Sequence, residues 1–284
     1  MSNSVATPTA KYTEYFPEWE KCRDAIAGQR NIHDKGEQYL PKLSGQSTDD
    51  YDKYLSQALY YNATGRTFTG YKGLIFRKPP DINADAIQDF VDDCTLSGMS
   101  LESFAELVVE EELTTSRFGI LVDHPSTEGS NLSQAEAEER GNRPYFVAYR
   151  AEDIHSVKTD RIGNKTKLVQ VRLRETVSEP TDDEFKDEKI QQIRVLDLEE
   201  GIRYRQRVFR QSTGDKGKST GWEEVLELRQ YPRMNGQYIA EIPFYMTGGY
   251  EFREPFLIDL VNVNLSHYVA YADHRRGVSW TTRP

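Results

Sequence analysis

The sequence is poor in the residues that build metal centres and covalent frameworks. Its 284 residues hold only two cysteines, Cys22 and Cys94, far apart in the chain. This is typical of reduced, buried thiols rather than of a disulfide framework. The five histidines are scattered, with no H-E-x-x-H motif and no Cys/His pair at zinc spacing. We therefore predict no metal site and no bound cofactor.

The common catalytic and phosphate-binding motifs are also missing. There is no G-x-S-x-G elbow, and the segment KGLIFRKPP has one glycine and no G-K-[ST]. The acidic runs at 92–93 and 110–112 are the remaining candidates for acid catalysis or cation binding, but charge runs on helices usually form a solvated face. We predict a protein without catalytic residues. A nuclease or hydrolase that uses the acidic runs stays as an alternative.

Basic residues are outnumbered, and long apolar runs are absent. The formal net charge is -10 and the mean hydropathy is -0.72. An acidic balance argues against tight binding of a phosphate backbone, which needs clustered lysine and arginine. The first residues lack the basic region and apolar core of a signal peptide, and no window approaches the length of a membrane span. We expect synthesis in the cytosol.

Helical periodicity dominates the first half of the chain. Residues 1–17 are small, polar and punctuated by proline, so we expect a flexible or docking arm before a helix that starts at Glu18. A second helix is predicted after Ser47, and its apolar stripe continues toward the GLIF segment before two prolines. That stripe consists of Tyr51, Leu55, Ala58, Leu59 and Asn62. Further elements are predicted as helices over 84–96 and 101–116 (capped at Ser103), a strand over 119–123 and an acidic helix from Ser133.

Alternation of apolar and polar residues dominates from Arg143 onward. Short connections between these runs predict an antiparallel meander with one buried and one solvated face. The runs occupy 145–149, 167–177, 190–198, 202–210 and 222–231. A long amphipathic helix is then predicted from Pro255 to Arg276, closed by Gly277. Its apolar stripe consists of Leu257, Leu260, Val261, Asn264, Leu265, Tyr268 and Ala272.

These patterns predict an α+β fold, in which N-terminal helices pack with an antiparallel β-meander and the chain ends in a long helix. The expected segments are a flexible arm (1–17), a helical part with a short strand (18–142), an antiparallel β part (143–250) and the long helix (251–284).

Arginines recur in the run RYRQRVFR, where Arg203, Arg205 and Arg207 fall on one face of a strand. They could meet DNA, meet the acidic linker 178–188 of a neighbouring subunit, or remain solvated. Because the chain as a whole is acidic, we favour a contact between subunits or within the chain. Arg275 and Arg276 near the end of the last helix are further candidates for a subunit or DNA contact.

Several segments in fixed order carry a family resemblance. They are YLPKLSGQSTDDYDKYLSQALYYNATGRTFTGYKGLIFRKPP, SRFGILVDHP, RPYFVAYRAEDI, RVLDL, IPFYMTGG and PFLIDLVNVNLSHYVAYADHRRG. In this order the chain resembles bacteriophage portal proteins, a large family with podovirus-type and related members. The likeness runs from about Glu18 to Pro284. No single motif is specific by itself, and the specificity comes from the order.

The resemblance implies a structural protein of the virion, made in the bacterial cytoplasm and located at one capsid vertex. Portal proteins assemble as rings, usually dodecamers, through which double-stranded DNA is packaged and ejected. The implied partners are further copies of the chain, the terminase, head–tail adaptor or tail proteins and the major capsid protein, with transient, non-specific contact to DNA. No catalytic residue is implied.

By the same resemblance, residues 18–250 are a portal wing and the last helix leads toward the stem and channel. Portals of this kind continue well beyond such a helix, so we expect a truncated or cleaved chain or a shortened homologue. The alternative is a head–tail adaptor or minor capsid protein that does not close a ring.

Overall fold

The computed structural model describes residues 3–84, 87–125, 142–181, 183–213, 219–234 and 236–281. The fold is α+β, as the sequence predicts. The chain divides into two compact units, and each draws on two stretches of sequence. The β unit comprises Met1–Glu14 and Phe118–Phe252, and the helical unit comprises Tyr15–Arg117 and Arg253–Pro284. The predicted acidic helix from Ser133 lies outside the described residues.

Seven α-helices are found in the described ranges. They are α1 (Ala10–Ala27), α2 (Gln29–Asp34), α3 (Thr48–Gln57), α4 (Ala63–Ile75), α5 (Gln88–Asp92), α6 (Leu101–Thr115) and α7 (Ile258–Thr281). The strands of the same ranges are β1 (Phe118–Asp123), β2 (Tyr145–Arg150), β3 (Ile154–Ile162), β4 (Lys165–Pro180), β5 (Asp187–Glu199), β6 (Arg203–Thr213), β7 (Ser219–Glu224), β8 (Arg233–Met234), β9 (Gln237–Tyr238) and β10 (Phe244–Met246).

The N-terminal segment is not the flexible arm that the sequence predicts. Helix α1 begins at Ala10 and runs through Pro17, and the Thr9 hydroxyl accepts a hydrogen bond from the Tyr12 N–H in its first turn (3.2 Å). Val5 and Tyr12 are buried. The predicted start at Glu18 is therefore eight residues late, and the helix tolerates the missing N–H donor of Pro17.

The predicted second helix is two helices. Ser47 caps α3 as predicted, since its hydroxyl accepts from the Asp50 N–H at 3.2 Å. The chain then leaves the helix, and the hydroxyl of the buried Tyr60 donates a hydrogen bond to the Ala25 carbonyl oxygen (3.1 Å). Asn62 starts α4 by accepting from the Gly65 N–H at 2.7 Å. Leu59, placed in the buried stripe by the prediction, is therefore exposed.

Three other helix boundaries differ from the prediction. The predicted helix over 84–96 is reduced to α5. Helix α6 is capped by Ser100, which accepts from the Ser103 N–H (3.2 Å), and not by Ser103 itself. Helix α7 continues past Gly277, because that glycine is not among the residues with a positive φ and so does not end the helix.

Four of the five runs predicted to form a meander do so, whereas the run 145–149 is β2 of another sheet. Strands β3 to β7 form one antiparallel sheet in sequence order, and a second sheet has the order β10-β1-β2. The run predicted over 222–231 is a strand only as far as Glu224, and β3 and β10 were not predicted. The two sheets enclose a core that includes Leu121, Ile154, Val171, Leu173, Leu196, Tyr204 and Phe244.

Asn264 links two elements of the helical unit. Its Oδ1 accepts hydrogen bonds from the N–H (3.1 Å) and the hydroxyl (3.0 Å) of Thr64 in the first turn of α4. Its Nδ2 donates to the Tyr61 carbonyl oxygen at 2.8 Å. The two bonds to Thr64 are shielded from water, since Asn264 and Thr64 are buried, and the bond to Tyr61 is partly buried. The side chain therefore fixes the start of α4 against α7.

We expect Asn264→Ala to lower the free energy of unfolding by about 2–4 kcal/mol, because it leaves buried donors and an acceptor without partners. Urea unfolding followed by far-UV circular dichroism measures the change. Asn262→Ala is the matched control: Asn262 lies on the same helix and is exposed, and its side chain accepts a hydrogen bond from the Lys21 ammonium. We therefore expect about 0.5 kcal/mol or less. Equal effects of the two substitutions would contradict this role.

His155 makes the stability of the β unit depend on pH. It is buried, and its ring packs edge-on against Tyr12 at 5.3 Å. Burial, with Arg174 and Arg172 nearby, lowers the pKa of His155 to about 4. The unfolded chain binds the proton more readily than the folded chain. The stability that neutral, buried His155 contributes is therefore complete above the unfolded pKa of about 6.5, and it is lost as pH falls toward 4.

We expect the free energy of unfolding to fall by about 2 kcal/mol from about pH 7 to about pH 5 through this group. His155→Leu should remove that part of the pH dependence, as measured by urea titrations at both pH values. His124→Gln, a change at an exposed histidine of the same unit, should retain it. An unchanged pH dependence in His155→Leu would show that His155 is not the responsible group.

Candidate functional site

The predicted stripe of α7 faces the interior of the helical unit. Five of its members are buried, and Leu260 and Leu265 pack against the same cluster. Tyr268 lies between Tyr60 and His33, with ring centroids 5.9 Å away in each case. Within one copy, the chain's own helices therefore cover this stripe, and its assignment to a stem or a subunit interface stays a prediction. The buried members are Leu257, Val261, Asn264, Tyr268 and Ala272.

The arginine run of β6 is paired within the chain. Arg205 donates two hydrogen bonds to the Asp197 carboxylate (2.9 and 3.1 Å) and one to Glu199 (2.7 Å). Arg207 also pairs with Asp197, and Arg203 pairs with Glu199. The pairs form because β5 and β6 are antiparallel neighbours with Asp197 opposite Arg205. Of the alternatives weighed from the sequence, the structure shows the contact within the chain.

The two remaining arginine candidates belong to the helical unit. Arg276 lies over the Tyr54 ring with its guanidinium carbon 5.9 Å from the centroid. Arg275 is exposed. The Tyr54 hydroxyl also donates to the Asp273 carboxylate at 2.6 Å. The structure thus gives Arg276 a partner within the unit and leaves Arg275 on the surface.

The acidic runs are not assembled into a catalytic or metal site. Glu111 is buried and binds both terminal nitrogens of Arg23 (2.6 and 3.3 Å). Glu110 accepts from the Lys72 ammonium at 2.7 Å. Within the described residues, no group of three or more histidine, cysteine or acidic side chains could hold a metal ion. The predicted solvated face is wrong for Glu111, which stabilises a buried ion pair instead.

A cleft of about 440 Å³ on the five-stranded sheet was not predicted from the sequence. We call it the sheet cleft. Alternate residues of β3 to β7 supply its walls, and the N-terminal segment closes one side. The lining residues are Ser4, Val5, Lys158, Gln170, Arg172, Val195, Arg207, Phe209 and Glu224.

Positive charge dominates the sheet cleft. Its only carboxylate, Glu224, lies 3.8 Å from Arg207. Arg172 donates to the carbonyl oxygens of Ser4 (2.6 Å) and Val5 (3.0 Å). In the described part of the chain no carboxylate pairs with Arg172 or with the exposed Lys158. Burial lowers the pKa of Arg172 from its ordinary value. Two cations are thus left for an external anionic group.

The β4–β5 hairpin extends beyond its neighbours. Its pairing continues to Pro180 opposite Asp187, whereas β6 pairs with β5 only up to Gln192. We call residues 178–189 the hairpin arm. At its tip, the Asp183 carboxylate accepts from the Phe185 N–H at 3.1 Å, and Phe185 is 90% exposed. The hairpin therefore extends past the paired part of β6 and carries an exposed aromatic side chain.

The helical unit also exposes apolar side chains. On α4, Leu74 is 69% and Ile75 is 53% exposed, and Phe256 just before α7 is 57% exposed. Tyr71 packs edge-on against Phe256 with ring centroids 5.5 Å apart. We call Tyr71, Leu74, Ile75 and Phe256 the helical patch. Contiguous exposed apolar residues are typical of interaction surfaces.

No protein-family model matches this chain, and no curated protein matches it either. Among the described helices, none combines the length and the apolar character that crossing a membrane requires. The functional argument therefore depends on the residues themselves and on the ordered likeness found in the sequence.

We expect Asp197→Asn to lower the free energy of unfolding by about 2–3 kcal/mol, because Arg205 and Arg207 then lose a charged partner in a largely shielded site. Urea titration measures the loss. Asp160→Asn, at an exposed position of the same sheet, is the control and should cost about 0.5 kcal/mol or less. If both substitutions were neutral, the Asp197 pairs would not stabilise the sheet.

Proposed function

We propose that this chain is a structural portal protein, or head–tail connector, of a tailed bacteriophage. It forms a ring at one capsid vertex, through which double-stranded DNA is packaged and ejected. The observation that carries the proposal is the ordered resemblance from about Glu18 to Pro284. The α+β fold agrees with the wing that this resemblance implies.

The distribution of charges supports an assembly role rather than a catalytic one. Glu111 of the acidic run pairs with Arg23, and Arg205 of the arginine run pairs with Asp197. Ion pairs of this kind stabilise a fold. The hairpin arm and the helical patch instead supply exposed apolar groups suited to protein contacts.

The charge balance also suits a conduit for DNA. A protein with a net charge of -10 lacks the basic surface that holds a phosphate backbone tightly. DNA then passes with transient, non-specific contacts. The expected partners are further copies of this chain, the terminase, the major capsid protein and a head–tail adaptor or tail protein.

A second candidate is a head–tail adaptor or minor capsid protein that does not close a ring. The burial of the α7 stripe favours it, because the residues predicted to reach a stem are filled by the helical core. An adaptor would bind an existing ring rather than form one.

Negative-stain electron microscopy of the purified 284-residue chain separates the two candidates. The portal proposal predicts hollow particles of cyclic symmetry with about twelve subunits. Dispersed monomers at all concentrations would contradict it. Monomers that bind a preformed portal ring would establish the adaptor instead.

A further inference from the structure

We infer that the hairpin arm of one copy binds in the sheet cleft of the next copy, head to tail. The inference deepens the proposed ring and rests on that proposed function. It gives the ring a defined contact. The occupant of the cleft is a second copy of this chain.

Charge complementarity is the first argument. The sheet cleft presents Lys158 and Arg172, which have no carboxylate partner among the described residues. The twelve residues of the hairpin arm include six acids and two bases. One of the acids, Glu179, pairs with Arg210 of its own copy at 2.8 Å. Asp183 and Glu184 are exposed at its tip. Opposite charges at this density steer two surfaces together and fix their register.

Apolar complementarity is the second argument. Phe185 projects from the acidic tip and is 90% exposed. The cleft combines its cations with the apolar side chains of Val5, Val195 and Phe209. An aromatic anchor that enters an apolar pocket with a charged rim has the usual composition of a protein–protein contact.

The arm of the same copy cannot fill the cleft. Gln170 in the cleft and Pro180 at the start of the tip are ten residues apart on one strand, β4. A strand rises about 3.3 Å per residue, so the tip lies about 33 Å away along the strand. An arm that occupies this cleft therefore belongs to another copy.

The arm has little support from the rest of its own sheet. Beyond Gln192 the backbone ladder of its two strands has no further partner strand in the described residues, and the Glu179–Arg210 ion pair (2.8 Å) is a side-chain contact to β6. An isolated two-stranded hairpin is marginally stable in water. Because the arm and the cleft are different surfaces, their contact is heterologous. Contacts of this type generate closed rings when the rotation between copies closes.

Cross-linking between two differently tagged chains tests the contact. One chain carries Lys186→Cys at the tip and the other carries Gln170→Cys in the cleft, so that Phe185, Lys158 and the acids are retained. A short bis-maleimide is the probe. Cys22 and Cys94 are fully buried, and burial raises the pKa of Cys22 to about 12, which keeps these thiols unreactive. We expect a product of twice the chain mass that contains both tags.

Ile202→Cys provides the matched control for position. Ile202 is 65% exposed in the turn between β5 and β6, outside the cleft. Paired with Lys186→Cys it should give no tagged dimer above background. Equal cross-linking at Gln170 and Ile202 would indicate random collision and overturn the inference.

Charge reversal provides a second, independent measurement. Lys158→Glu in the cleft chain, or Glu184→Lys in the arm chain, should lower the cross-linked fraction about two- to fivefold. Combining the two reversals in opposite chains should restore it, since the pair is then re-formed with exchanged signs. Unchanged cross-linking in both single variants would contradict charge recognition at this site.

The native mass of the same mixture, measured by mass photometry, separates the inference from the proposed function. Rings with specific cross-links support both, and rings without cross-links overturn the inference alone. Specific cross-links in particles that do not close into rings support the contact and contradict the portal proposal. Monomers without cross-links contradict both.

Discussion

The β unit depends on the Asp197 carboxylate, which pairs with two arginines of the neighbouring strand. This carboxylate holds Arg205 and Arg207 from the neighbouring strand, which fixes the register of β5 against β6. The same register places Val195 beside Arg207 and so forms the floor of the sheet cleft. Because Arg207 is neutralised within the chain, Arg172 and Lys158 are the cations that remain for a partner.

Charged and polar side chains are also paired within the helical unit. Glu111 and Arg23 neutralise each other in a buried pair, and Asn264 satisfies the backbone at the start of α4. Polar groups used in this way determine where helices meet. The described surface also carries exposed apolar side chains in the helical patch and at the tip of the hairpin arm. Surfaces of this kind are typical of interaction sites.

The sequence predicted those elements whose cause is local. Alternation predicted β4, β5 and β6, and Ser47 with its following acids predicted the start of α3. The sequence did not predict the features that depend on residues far apart in the chain. The separation of α3 from α4 depends on Tyr60 reaching Ala25, and strand β3 has three buried residues in succession instead of an alternating pattern. The sheet cleft had no local signal, because five strands and the N-terminal segment form it together.

The central claim is that this chain functions through surfaces that are unpartnered in a single copy. Backbone hydrogen exchange at low and at high protein concentration tests it most directly, since exchange slows wherever assembly covers or rigidifies a segment. The account predicts slower exchange at high concentration in the hairpin arm and in the helical patch, with little change in the buried parts of α7. Identical exchange of the arm and the patch at both concentrations would contradict it.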